Sequence, residues 1–218
     1  MKVKFFLTSW FLLVTSILGF AFYWPKDSYL IACDVGQGDA ILITSGFTQV
    51  LVDGGPDNKV LSCLSENMPF WDHTIELIVN THPDADHYTG LKYVIERYNV
   101  EQFVSNNLVN PSGFFKEFRE LVLEQKIPVY SPKDGDQLKI GDLKFEVLWP
   151  EEQVADYLVW EEKELPVNIL GAKTKGFNNQ SIVLLFQYGE FRALLAGDID
   201  QITERKIISK HQFDSIDV

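Results

Sequence analysis

Residues 81–87 read Thr81-His82-Pro83-Asp84-Ala85-Asp86-His87, and four side chains able to hold a cation fall within six residues of that stretch. Just upstream, residues 75–80 (IELIVN) form a continuous apolar run of the kind that is buried on both faces of a sheet. Just downstream, the spacing predicts a helix over 88–98, with Leu91, Val94, Ile95 and Tyr98 on one core-facing side. Two of the protein's four histidines stand in the loop between the two. Alternate side chains of an extended segment point the same way, so His82, Asp84 and Asp86 can converge while His87 turns to a neighbouring position, and two adjacent cation sites follow. Crowding such groups without a cation would leave like charges unpaired, which is costly when they are partly buried. The simpler reading has Asp86 capping the helix near Tyr88, with the other three as surface polar groups. A cap accounts for one member of the cluster, not four.

Working outward, residues 29–34, 40–44 and 48–53 read as three strands of an antiparallel meander, separated by the turn chemistry of Gly36 and Gly38 and then of Ser45-Gly46. A helix is expected over 58–67 and a strand over 100–104. A second long helix opens at Pro111-Ser112 and runs to about residue 125, with Phe114, Phe115, Phe118, Leu121 and Val122 as its buried stripe. Two hairpins follow, residues 137–149 turning at Gly141-Asp142 and residues 181–195 turning at Gly189-Glu190. Between them, residues 150–179 read as an irregular, solvated loop carrying Glu151, Glu152, Glu161, Glu162 and Glu164, of the kind that can line a cleft.

With 218 residues, 46% of them hydrophobic and 13% aromatic, the chain supports one well-cored domain and is not that of a disordered protein. The formal charge is -12, so side chains alone are poorly suited to grip a phosphate backbone. An anionic substrate would need positive charge from elsewhere, and a bound metal ion is the natural supplier. Residues 5–24 carry no charge and as a helix would span about 30 Å, enough to cross a membrane. Residues 1–25 are therefore expected to be a single-pass membrane anchor, the alternative being a cleaved signal peptide of a secreted protein. Lys2 and Lys4 would stay inside and the domain, residues 28–218, would lie outside the cytoplasm. Cys33 and Cys63 match no metal motif. An exported domain would permit a disulfide, but the expectation is two buried thiols, because a domain of this size does not need a staple.

The 81–87 stretch resembles the metal-binding signature of the metallo-β-lactamase superfamily, a His-x-His-x-Asp-His loop, with Asp84 where the second histidine usually stands. Together with Asp34-Val35-Gly36-Gln37-Gly38-Asp39-Ala40, Leu51-Val52-Asp53-Gly54-Gly55, Asn178-Asn179-Gln180-Ser181 and Leu194-Leu195-Ala196-Gly197-Asp198-Ile199, it is similar to the ComEC-like extracytoplasmic hydrolase domains of DNA-uptake proteins. That resemblance implies an α/β fold, an αββα sandwich with metal at the sheet edges. It implies two divalent ions, zinc or manganese, held by His82 and Asp84 at one site and by Asp86 and His87 at the other, with Asp198 bridging. Asp53 would orient the metal loop. Asp34 and Asp39 would line the pocket, or simply stabilise the turns beside Gly36 and Gly38. Asp86 is the candidate catalytic proton acceptor.

Two departures from the family pattern stand out. No histidine occurs between His87 and His211, so Asn178, Asn179 or a water would fill a ligand position. The sequence also ends where ComEC-like domains continue into a further strand and a His-His-Gly-Ser run, so the sandwich is expected to be incomplete at its C-terminus. The function implied is hydrolysis of phosphodiesters, single-stranded DNA among them, with a DNA-uptake channel as partner. The alternatives are hydrolysis of another ester, amide or lactone, and a non-catalytic metal-binding module.

Overall fold

Along neighbouring strands the apolar side chains divide between two cores: Ile43, Val50, Val52, Leu77, Val79 and Val104 enter one, and Leu42, Leu51, Ile78 and Phe103 the other. The division follows from the two-residue period of a strand, and it builds a sheet covered on both faces. The computed structural model describes residues 8–16, 19, 27–152, 177–213 and 215–218. The strands are β1 (Ser28–Ala32), β2 (Ile41–Ser45), β3 (Thr48–Val52), β4 (Thr74–Ile75), β5 (Leu77–Asn80), β6 (Asn99–Val100), β7 (Phe103–Ser105), β8 (Val129–Tyr130), β9 (Gln137–Ile140), β10 (Leu143–Trp149), β11 (Val183–Tyr188) and β12 (Phe191–Leu195). The helices are α1 (Val60–Asn67), α2 (Ala85–Ile95), α3 (Gly113–Glu124) and α4 (Gln201–Lys210).

The first sheet has the order β1-β2-β3-β5-β7-β8, antiparallel through the meander and parallel from β3 onward. Its outer face meets α1, α2 and α3 through Leu64, Leu91, Val94, Phe115, Phe118 and Val122. Its inner face meets Leu143, Phe145, Val147, Leu184, Phe186 and Leu195 of the second sheet, whose order is β12-β11-β10-β9. Behind that sheet, Leu148, Trp149, Val183 and Leu185 pack on Ile207 of α4. The layers are thus helices, sheet, sheet, helix, the expected αββα arrangement.

Three local features differ from expectation. The run over 75–80 breaks at Glu76, whose carboxylate accepts the Gln49 N–H at 2.6 Å, so β4 pairs with β6 while β5 enters the main sheet. Helix α2 begins at Ala85, because the extended Asp84 lends its carbonyl to the N–H groups of His87 and Tyr88; Asp86 and His87 are therefore in the first turn, and Asp86 is not a cap. Cys33 and Cys63 are joined in a disulfide, not free: packing α1 on the sheet brings their Cα atoms to 5.7 Å, within bridging reach. Half of the apolar run 5–24 lies outside the described residues, and among those described no helix is long and apolar enough to cross a membrane.

At the start of α3, the Ser112 hydroxyl accepts the Phe115 N–H at 3.2 Å and meets the Tyr88 hydroxyl at 3.0 Å. Ser112→Ala should cost about 1 kcal/mol, measured as a lower urea midpoint, with the metal centre unaffected.

Candidate metal centre

The parallel strands deliver their C-terminal ends to one edge, where an open α/β sheet characteristically presents its site. Asp53 follows β3, Thr81 and His82 follow β5, and Asn106 follows β7. From the second sheet, the turn after β12 supplies Asp198.

Asp53 is the hub. Its backbone is left-handed (φ 57°), a conformation that Asp tolerates better than most residues, and its carboxylate is 1% exposed. One oxygen accepts the Thr81 N–H at 2.8 Å and the Asn80 amide at 3.4 Å; the other accepts the Thr81 hydroxyl at 2.6 Å and His87 Nδ1 at 2.8 Å. Because the Thr81 hydroxyl donates to Asp53, it accepts from His82 Nδ1, 3.0 Å away. Both imidazoles are thereby held by Nδ1–H, and both turn Nε2 into the site.

His82 Nε2 is fully buried, forms no hydrogen bond among the described residues, and lies 3.4 Å from Asp84 Oδ2. His87 Nε2 lies 3.6 Å from Asp198 Oδ2, and the two rings are 4.1 Å apart, centroid to centroid. Ligand atoms of His82, His87 and Asp198 all fall within 4.8 Å of one another. Imidazole Nε2 atoms oriented by a shared carboxylate, facing a further carboxylate, are a donor set suited to a divalent transition metal.

The electrostatics of the two histidines diverge. Burial works against protonation of His87, but the hydrogen bond and charge of Asp53, followed by Asp198 and Asp86, raise its pKa to about 9. Burial lowers the pKa of His82, and the neighbouring His87 lowers it further. Asp39 is also perturbed: desolvation raises its pKa, His87 and His82 oppose the rise, and Asp53 and Asp198 add to it. Its loop is drawn close because Gly38 has no side chain, a Cβ there falling 2.1 Å from the Asp86 carbonyl oxygen.

The residues singled out from the sequence are placed as follows. His82, His87 and Asp198 come together, Asp84 stands beside His82, and Asp53 orients both imidazoles. Asp86 lies on the first turn of α2, where its charge acts on His87, but it is not in the closest trio. Asp39 acts electrostatically on the same group, whereas Asp34 is exposed. Asn179 points elsewhere: its carbonyl accepts Trp149 Nε1 at 2.8 Å and its side chain bonds Asp200, the N-cap of α4. Sequence reasoning passed over Asn80, Thr81 and Asn106. Asn80 carried a signal, a polar residue closing an otherwise apolar strand; Asn106 carried none.

The family model described as the metallo-beta-lactamase superfamily matches residues 33–214. ComE operon protein 3 of Bacillus subtilis (strain 168) is 26% identical over 202 residues, covering 81% of this chain and 23% of that protein. The chain thus spans about a quarter of the length of this curated relative. Among solved structures, the metallo-beta-lactamase fold protein YhfI from Bacillus subtilis is 15% identical with TM-score 0.47, covering 78% of this chain and 61% of that one. CmlA, a diiron beta-hydroxylase from Streptomyces venezuelae, is 17% identical with TM-score 0.48, covering 88% and 34%.

Proposed function

The chain belongs to the metallo-beta-lactamase superfamily, and from that premise we propose that it is a divalent-metal-dependent hydrolase of phosphodiesters, tethered to the outer side of a membrane by residues 5–24. The observation that carries the hydrolase reading is the buried His82 Nε2, which forms no hydrogen bond among the described residues, in a cluster with His87 and Asp198. His82, His87 and Asp198 would hold the cation, with Asp84 and Asp86 flanking it. When bound, a divalent ion supplies Lewis-acid polarisation of a substrate oxygen and the positive charge that a chain of net charge -12 lacks.

The chain's own residues do the rest. Asp53 holds the protons on both Nδ1 atoms in place, directly on His87 and through Thr81 on His82, so that the opposite nitrogens are the ones turned to the site to ligate. Asp86, half-buried on α2, is the group proposed to take up a proton at its carboxylate as a nucleophile forms. The resemblance of the sequence motifs to the ComEC-like hydrolase domains of DNA-uptake proteins favours an anionic substrate over an acyl one, and single-stranded DNA is the substrate class to test first. The Cys33–Cys63 disulfide accords with placement outside the cytoplasm.

The test is cleavage of single-stranded DNA and of bis(4-nitrophenyl) phosphate with manganese or zinc. Chelation and Asp198→Asn should each remove activity, the latter without change in the circular dichroism spectrum. Activity that survives both overturns the metal reading, and inertness on every phosphodiester with turnover of a lactone or thioester transfers the assignment to acyl hydrolysis. A reporter fused after Val218 should be active only outside the cytoplasm; cytoplasmic activity overturns the tether.

A further inference from the structure

The centre is assembled from two halves that belong to different sheets. His82 and His87 arise from the first sheet and α2, whereas Asp198 follows β12 of the second. Their separation therefore depends on how the two sheets are joined at this edge, and one side chain bridges them there.

Asn106 follows β7 and is completely buried. Its amide nitrogen donates to the Thr81 carbonyl at 3.1 Å and to the Gln180 carbonyl at 2.7 Å, and its amide oxygen accepts the Leu108 N–H at 3.2 Å. Thr81 is the residue before His82 and the one whose hydroxyl orients its ring. Gln180 ends the short helical turn that leads through Ser181 into β11, the strand paired with β12. The Thr81 carbonyl also accepts the Ile182 N–H at 2.9 Å, so the same two segments are joined by backbone as well. Both amide hydrogens and the amide oxygen are used in one fully buried geometry. Asp matches the shape but loses both donors, and Ser is too short to reach both carbonyls.

We infer that Asn106 is a positioning residue that sets the spacing between the histidine pair and Asp198, and so the affinity and geometry of the cation site. Among the described residues its hydrogen bonds go to the Thr81, Gln180 and Leu108 backbone and to none of the three ligand side chains, so it acts through that backbone. The inference rests on the metal reading above.

Cobalt(II) titration of the full chain tests it, followed by visible absorption, with Asn106→Asp, Asn106→Ala and Asn106→Ser. The parent should bind cobalt with a spectrum lost in His82→Ala. Asn106→Asp and Asn106→Ala should bind at least about tenfold more weakly with shifted absorption bands, the scale seen when groups behind a ligand are removed. Asn106→Ser, which keeps one donor, should fall between and serves as the measured variant if the other two do not fold. Parental affinity and spectrum in the folded variants overturn the inference. Failure of the parent to bind cobalt overturns the metal reading instead. The positioning role is then decided in metal-free protein by long-range 1H–15N spectra of the imidazoles: a displaced His87 Nε2 signal in Asn106→Ser upholds it, and an unmoved one refutes it.

Discussion

Asp53→Ala should lower stability by about 3–5 kcal/mol, the scale for removing one partner of a buried charged network. Four donors lose their acceptor at once: the Thr81 N–H and hydroxyl, the Asn80 amide and His87 Nδ1–H. All three donor residues are at most 1% exposed, so water does not replace the carboxylate. Alanine also sits poorly at φ 57°. Asp53→Asn separates the contributions, since Asn tolerates the backbone and keeps one oxygen but turns its amide hydrogens toward other donors. It should fold, with weakened metal affinity. The pH dependence supplies a second readout. The His87 pKa rises from 6.5 to about 9 in the folded state, so its protonation stabilises the metal-free fold fully below pH 6.5, and this contribution is lost as pH rises through about 9. Urea midpoints of chelated parent protein should fall across that window, and the fall should shrink in Asp53→Ala. Equal midpoints for parent and Asp53→Ala at every pH would refute the hub role.

Gly90→Ala should destabilise the protein by about 3 kcal/mol, although alanine in a helix interior is favoured over glycine by about 1 kcal/mol. Here the tertiary contact outweighs the propensity. A Cβ at Gly90 would lie 1.8 Å from the Gly54 carbonyl oxygen and 2.8 Å from that of Asp57, both backbone atoms that cannot swing aside. The close approach is locked by Gly90 N–H to Gly55 O at 2.9 Å and Gly54 N–H to His87 O at 2.7 Å. Forcing α2 outward would carry His87 away from Asp53 and Asp198, so metal affinity should fall together with the denaturation midpoint. A midpoint at or above the parental one would show that helix propensity governs this position.

The meander, α2, α3 and both hairpins were legible in the sequence, because strand and helix periods are local properties of the chain and each buries a stripe that its own residues specify. The 81–87 cluster was legible for the same reason: donors concentrated between a buried strand and a helix have few uses besides a cation. Where α2 begins was not, since Asp86 suits a cap by residue type, and the carbonyl of extended Asp84 decides the matter instead. The pairing of Cys33 with Cys63 depends on α1 packing against the sheet, a contact across 30 residues that spacing does not encode. Asp53 could be read from its motif, but its grip on His87 directly and on His82 through Thr81 exists only once β3 and β5 lie side by side with α2 against them. Gly90 and Asn106 carry no local signal at all, one an ordinary glycine within a helical pattern, the other an asparagine beside another. Their roles come from backbone of distant residues reaching them, because close approach and buried hydrogen bonding are properties of pairs of segments, and only the tertiary structure chooses the pairs.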